Sequence, residues 1–139
     1  MSVEIRIALP RHPDWRVDGE GIDVNVALPR KLAAAHAGYY VVTGAWAVLH
    51  RRSFELVTGP KHDYWLVRLV GGLALAVGAS LGTAVATGRK SQADTTLALT
   101  TSLAFVVADV HAARSMSRVY LGDVVLHAIF VPAWIRPWS

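Results

Sequence analysis

Cysteine is absent from the 139 residues. This excludes disulfides, thiolate metal sites, iron–sulfur clusters and cysteine nucleophiles, and gives no sign of the redox compartment. Charge is scarce as well. Charged residues make up 17% of the chain, against about a quarter in an ordinary soluble domain. The shortage is uneven: of 14 basic and 10 acidic residues, ten lie within residues 1–31. A disordered chain, a collagen-like scaffold and a soluble enzyme with a charged surface are all poor fits. Also missing are an HExxH or ExxH pair, a Walker loop, a Rossmann fingerprint and a Ser-His-Asp set. No catalytic residue, cofactor or metal is assigned on these grounds.

The chain is instead rich in long apolar runs. Residues 32–49 hold no charge, residues 64–87 hold only Arg68, residues 95–113 only Asp109, and residues 119–135 only Asp123. A helix needs roughly 17–25 such residues to cross the hydrocarbon core. Lipid offers no partner to open backbone groups, so helices are the expected spanning form. The connectors are short, which makes consecutive helices antiparallel neighbours. The expected fold is therefore an all-α membrane protein. It has an up-down four-helix bundle over residues 32–139, preceded by a polar tail over residues 1–31. A soluble bundle would need a charged face on every helix, and the first run has none. The first apolar run follows a long mixed-charge tail, so no cleavable signal peptide is expected.

Within the tail, Val3, Ile5 and Ile7 alternate with Glu4 and Arg6, and Ile22, Val24 and Val26 alternate with Asp23 and Asn25. Each segment runs into the same tetrapeptide, ALPR, and Gly19 and Gly21 lie between them. Period-two alternation around a turn predicts a β-hairpin on the membrane face; the alternative is an unstructured tail.

The net charge of +4 does not mark a nucleic-acid binder, because the basic residues flank apolar runs rather than forming one patch. Five of them fall near the tail side (Arg30, Lys31, Arg89, Lys90, Arg136) and five near the opposite side (Arg51, Arg52, Lys61, Arg114, Arg118). The positive-inside rule thus favours neither orientation. Tyr64 and Trp65 open the second run, while Trp134 and Trp138 close the last, as an interfacial aromatic belt requires.

Two features carry functional expectations. Ala74, Gly78, Gly82 and Ala86 recur every fourth residue and include a GxxxG, which lets helix backbones approach closely. The stripe serves packing inside the bundle or against a second copy. The other feature is a polar layer. With the expected topology, Arg68, Asp109 and Asp123 all lie about 6 Å inside the end remote from the tail. His111 and Tyr120 are near that level, and His127 follows Asp123 at i,i+4.

A charge within the membrane is expensive, so the aspartates should face the bundle. An Arg68–Asp109/Asp123 clasp is the structural reading. The functional one is a vestibule for an ion, quinone, lipid or other small apolar molecule. Its sharpest form is a metal held by Asp123 and His127 with Asp109 or His111; proton chemistry by Asp123 and His127 is the enzymatic form. His36 is expected to be a bundle-facing hydrogen-bonder near the tail side, apart from this layer. In the long connector, Asp63 should cap the second helix, residues 51–56 should form a short interfacial helix, and Glu55 and Lys61 should sit over the polar layer.

That connector carries a resemblance. Phe54-Glu55, Val57-Thr58-Gly59-Pro60-Lys61, Asp63 and Trp65-Leu66-Val67, with HAGYYVVTGAW in the first helix, resemble uncharacterised small four-span bacterial integral membrane proteins. The likeness covers roughly residues 32–130. Such proteins are similar in size and topology to the DoxX-like group, some of which accompany respiratory oxidoreductases. The resemblance implies a multi-pass protein of the bacterial inner membrane. The expected role is non-enzymatic, that of an accessory or self-associating subunit in a homo-oligomer or larger membrane complex. Binding or transport of a small ligand at the polar layer is the alternative, followed by membrane enzymology.

Overall fold

The computed structural model describes residues 24–138. Six helical segments occur among them: α1 (Val24–Leu49), α2 (Arg51–Thr58), α3 (Tyr64–Thr87), α4 (Gln92–Ser115), α5 (Val119–Phe130) and α6 (Pro132–Ile135). Three stretches are long and apolar enough to cross a membrane: Leu28–Leu49, Tyr64–Thr87 and Gln92–Ser115. The apolar column Val119–Ile135 is shorter. It breaks before Pro132, which has no N–H to continue the helical ladder.

The expected second strand of the hairpin is not formed. Val24 and Val26 lie in the first turn of α1, and the second ALPR continues that helix with Pro29 inside it. Extending an existing helix adds one hydrogen bond per residue, whereas a strand gains nothing without a partner. The first strand and the glycine turn lie outside the described residues.

α1 and α3 pack along their length through small residues. A Cβ on Gly44 would lie 2.5 Å from the Gly71 carbonyl oxygen and 2.9 Å from the Leu75 nitrogen. One on Gly78 would lie 2.9 Å from both the Ala37 oxygen and the Val41 nitrogen. At these two crossings the backbones touch with no room for a side chain. Dispersion at that range is what holds helices together in lipid.

The buried face of α3 is Gly71, Ala74, Gly78, Leu81 and Ala84. The expected four-residue stripe therefore holds only at its start: Ala74 and Gly78 are buried, Gly82 is half-buried and Ala86 is exposed. The cause is geometric. Each four-residue step turns about 400° around a 3.6-residue helix, so the stripe drifts about 40° per step.

The helix ends find their partners. Ser91 and Asp94 form a capping box at the start of α4: Asp94 N–H donates to Ser91 Oγ at 3.1 Å, and Ser91 N–H to Asp94 Oδ2 at 2.8 Å. Arg30 donates from Nε and Nη2 to the Val85 carbonyl at 3.2 and 2.9 Å, closing the last turn of α3. Lys90 donates to the Trp134 carbonyl at 2.7 Å, tying the α3–α4 connector to α6. Asp63 occupies the N-cap position of α3, but its side chain makes no capping bond. Its carbonyl accepts from Leu66 N–H at 3.1 Å instead.

The outer faces stay apolar. Leu69, Leu73, Leu103, Val107, Leu121, Val125 and Ile129 are all exposed. A band of that extent on three helices suits lipid, not water.

Candidate functional site

Two polar clusters occupy the interior, and they differ in how completely their groups are paired. The first is closed. His36, fully buried on α1, accepts the indole N–H of Trp134 at Nδ1, 3.0 Å away. Indole can only donate, so the His36 proton resides on Nε2. That nitrogen faces Ser102 Oγ at 3.5 Å, and Ser102 in turn meets the Tyr40 hydroxyl at 3.4 Å. The rings of Phe130 and Tyr40 lie 5.0 and 4.7 Å from the imidazole. His36 is thus the expected bundle-facing hydrogen-bonder.

It is not apart from the polar layer, however. The His127 ring centroid is 5.5 Å from that of His36. His127 is 1% exposed and is also enclosed by Tyr39, Tyr40 and Phe105. From there the second cluster extends toward the α2 end of the molecule.

That second cluster is open. Asp109 on α4 and Asp123 and His127 on α5 bring one donor atom each to within 4.8 Å of one another. Asp109 is 4% exposed. Asp109 Oδ2, Asp123 Oδ1 and both ring nitrogens of His127 are buried without a hydrogen-bond partner. His127 Nε2 lies 4.0 Å from Asp123 Oδ1, beyond hydrogen-bonding range.

Arg68 does not join them. It is exposed on the outside of α3, and no ion pair from it to either aspartate exists among the described residues. Counting along the helix fixed its depth but not its direction. Val67, Val70 and Ala74 line the interior, and Arg68 lies about 100–160° round the helix from them, on the exposed side. Its long stem can carry the guanidinium to the interface. His111 is likewise exposed and outside the cluster. Arg68→Leu is therefore expected to change stability by no more than about 0.5 kcal/mol. Removing one partner of a buried clasp would cost about 3–5 kcal/mol. Thermal unfolding of the detergent-solubilised protein separates the two outcomes.

Asp109 and Asp123 line a cavity of about 730 Å³, with Lys61 as its other charged group. Its walls come from α1, α3, α4 and α5, and α2 and the following loop cover one end through Phe54, Val57 and Thr58. The short helix over residues 51–56 is thus present and serves as a cover. Glu55 and Lys61 organise it. Glu55 Oε1 accepts from Arg51 Nε at 3.2 Å and from Lys61 N–H at 3.4 Å. Lys61 Nζ donates to the Thr58 and Gly59 carbonyls at 2.8 and 3.0 Å and sits 5.6 Å over the Tyr120 ring. Lys61 and Tyr120 both line the cavity.

A second hollow of about 440 Å³ lies in the crevice between α3 and α4. It shares Val70, Ala74, Phe105 and Ala108 with the first, so the two hollows adjoin along α3 and α4.

Gly44 and Ser102 are not among the residues expected to matter, although the sequence carries a signal for each. Ser102 precedes Asp109 by seven residues, two helical turns, and so shares its face. Gly44 belongs to a row of small residues on α1 with Ala33, Ala37 and Ala47, all buried. Comparison with protein-family models, curated proteins and solved structures gives no match.

Proposed function

We propose that the chain is a multi-pass membrane protein that binds a lipophilic small molecule bearing one polar end. In this reading α5 and α6 together make the fourth crossing of an up-down bundle, and the protein resides in a bacterial inner membrane, as the loop resemblance implies. The observation that carries the proposal is the cavity itself. Its volume of about 730 Å³ falls in the range of about 300–1,000 Å³ typical of small-molecule sites. Its lining is mostly apolar and aromatic, with Asp109, Asp123 and Lys61 as its charged groups. In this reading the crevice between α3 and α4, which adjoins the cavity, is where such a molecule enters from the bilayer.

The small-residue stripe favours this reading over self-association. Its buried glycine, Gly78, packs against α1, which takes up the part of the surface that would otherwise invite a second copy. No catalytic step is part of the proposal.

The probe is a long-chain primary alcohol carrying a diazirine, added to the full chain in lipid nanodiscs and cross-linked by light. Saturable labelling of cavity residues such as Ala112 and Met116 is expected. Unlabelled alcohol should compete for it, and Ala112→Phe, which fills the cavity, should reduce it about tenfold or more. Labelling confined to Leu73, Leu103 and Val107, without saturation, would overturn the proposal.

A further inference from the structure

We infer that Asp109, Asp123 and His127 hold a divalent first-row transition-metal ion between α4 and α5. The inference does not rest on the small-molecule reading, since each site can be filled with the other empty.

A buried polar atom without a partner is costly, and a buried ion without a counter-charge more so. Here four such atoms belong to three neighbouring side chains, one oxygen from each carboxylate and both nitrogens of one imidazole, and one donor atom from each side chain lies within 4.8 Å of the others. The carboxylates belong to neighbouring helices, and no cation among the described residues pairs with either. Arg68 faces outward, and the Lys61 ammonium is taken up by the Thr58 and Gly59 carbonyls. A divalent cation matches the formal charge of two carboxylates and supplies the missing partner to three donor groups at once.

The donor set also narrows the ion. Imidazole suits zinc, iron, copper and nickel, whereas carboxylates alone would suit magnesium or calcium. One nitrogen with two carboxylate oxygens at bond lengths of about 2.0–2.2 Å is a three-ligand set of the kind that leaves a further coordination position open. The donors lie within 4.8 Å of one another, and modest side-chain rotation closes that distance. Asp123 and His127 are one turn apart on α5, so a single rigid helix positions two of the three donors. Asp109 and Asp123 also line the cavity, so the open position is on that side.

The test uses the full chain in nanodiscs, stripped with a chelator and titrated with Zn²⁺ alone. Bound metal is measured by elemental analysis after desalting, and Co²⁺ is used in parallel for its ligand-field spectrum. About one zinc per chain is expected, with affinity at least about tenfold weaker in Asp109→Asn and in His127→Phe and unchanged in His111→Ala. Zn²⁺ should also raise the unfolding temperature of the wild type, because it binds the folded state. Two results overturn the inference: a wild-type chain that retains less than roughly a tenth of an equivalent of zinc, or equal retention by the wild type and both cluster variants. The wild-type measurement decides even if a variant fails to fold.

Discussion

Trp134→Ala is expected to be among the most damaging single substitutions in the chain, lowering stability by about 3–5 kcal/mol. Trp134 is 1% exposed and packs with Ala33, Ala37, Tyr40 and Ala98, with Trp138 beside it. Lipid cannot fill the space it leaves, so the surrounding atoms lose their dispersion partners outright. A second cost adds to the cavity. His36 Nδ1 loses the indole N–H at 3.0 Å and becomes an unsatisfied buried acceptor.

Trp134→Phe separates the two terms. It keeps most of the ring volume and removes only the donor, so about 1–3 kcal/mol is expected. Thermal unfolding in one detergent, followed by helical circular dichroism, gives the comparison. Equal losses in the two variants would assign the whole effect to the hydrogen bond. A neutral Trp134→Ala would refute the enclosed packing.

The contrast between the two polar clusters gives the candidate site its weight. Around His36 each polar atom meets a partner through Trp134, Ser102 and Tyr40, as the interior of a stable bundle requires. One helical turn or so away, Asp109, Asp123 and His127 do not. The same fold satisfies one cluster and leaves the other open beside a cavity. A fold that needed only rigidity would have used apolar residues at those three positions.

Much of this was legible in the sequence, and the rest depends on contacts that run length and residue counting do not carry. Apolar run length located α3, α4 and the α5–α6 column, because the thickness of the hydrocarbon core fixes it. Residue counting placed Asp109 and Asp123 at a common depth, and they do meet. Counting says nothing about direction round the helix, which depends on the face its neighbours cover. For that reason Arg68 has the depth of the cluster but not its company. The expected separation of His36 from the layer fails for a reason of depth. At about 1.5 Å per residue, His127 lies roughly 12 Å along α5, deep enough to meet a residue that approaches from the other end. The tail erred for a different reason: alternation in Ile22, Val24 and Val26 predicts a strand only where another strand can pair with it, and α1 extended through Val24 instead.

The glycines of α1 and α3 put the direction argument to its hardest test, because the same substitution should change sign along one interface. Gly44→Ala is expected to lower stability by about 1–3 kcal/mol. The new methyl would lie 2.5 Å from the Gly71 carbonyl oxygen, and a backbone atom cannot swing aside as a flexible side chain can. Gly78→Ala should behave alike, with two backbone atoms at 2.9 Å. Gly72 and Gly38 have nothing within 4 Å of the added atom. There alanine should be neutral or stabilising by up to about 1 kcal/mol, since it is the better helix former. Gly82, whose added atom would meet only the Ala37 methyl at 4.0 Å, belongs with the tolerant group despite its place in the GxxxG. Unfolding midpoints of the five variants measure the order. Were Gly82→Ala as damaging as Gly78→Ala, the strict four-residue stripe rather than the 3.6-residue face would be the packing surface, and a second copy would have to cover its far end.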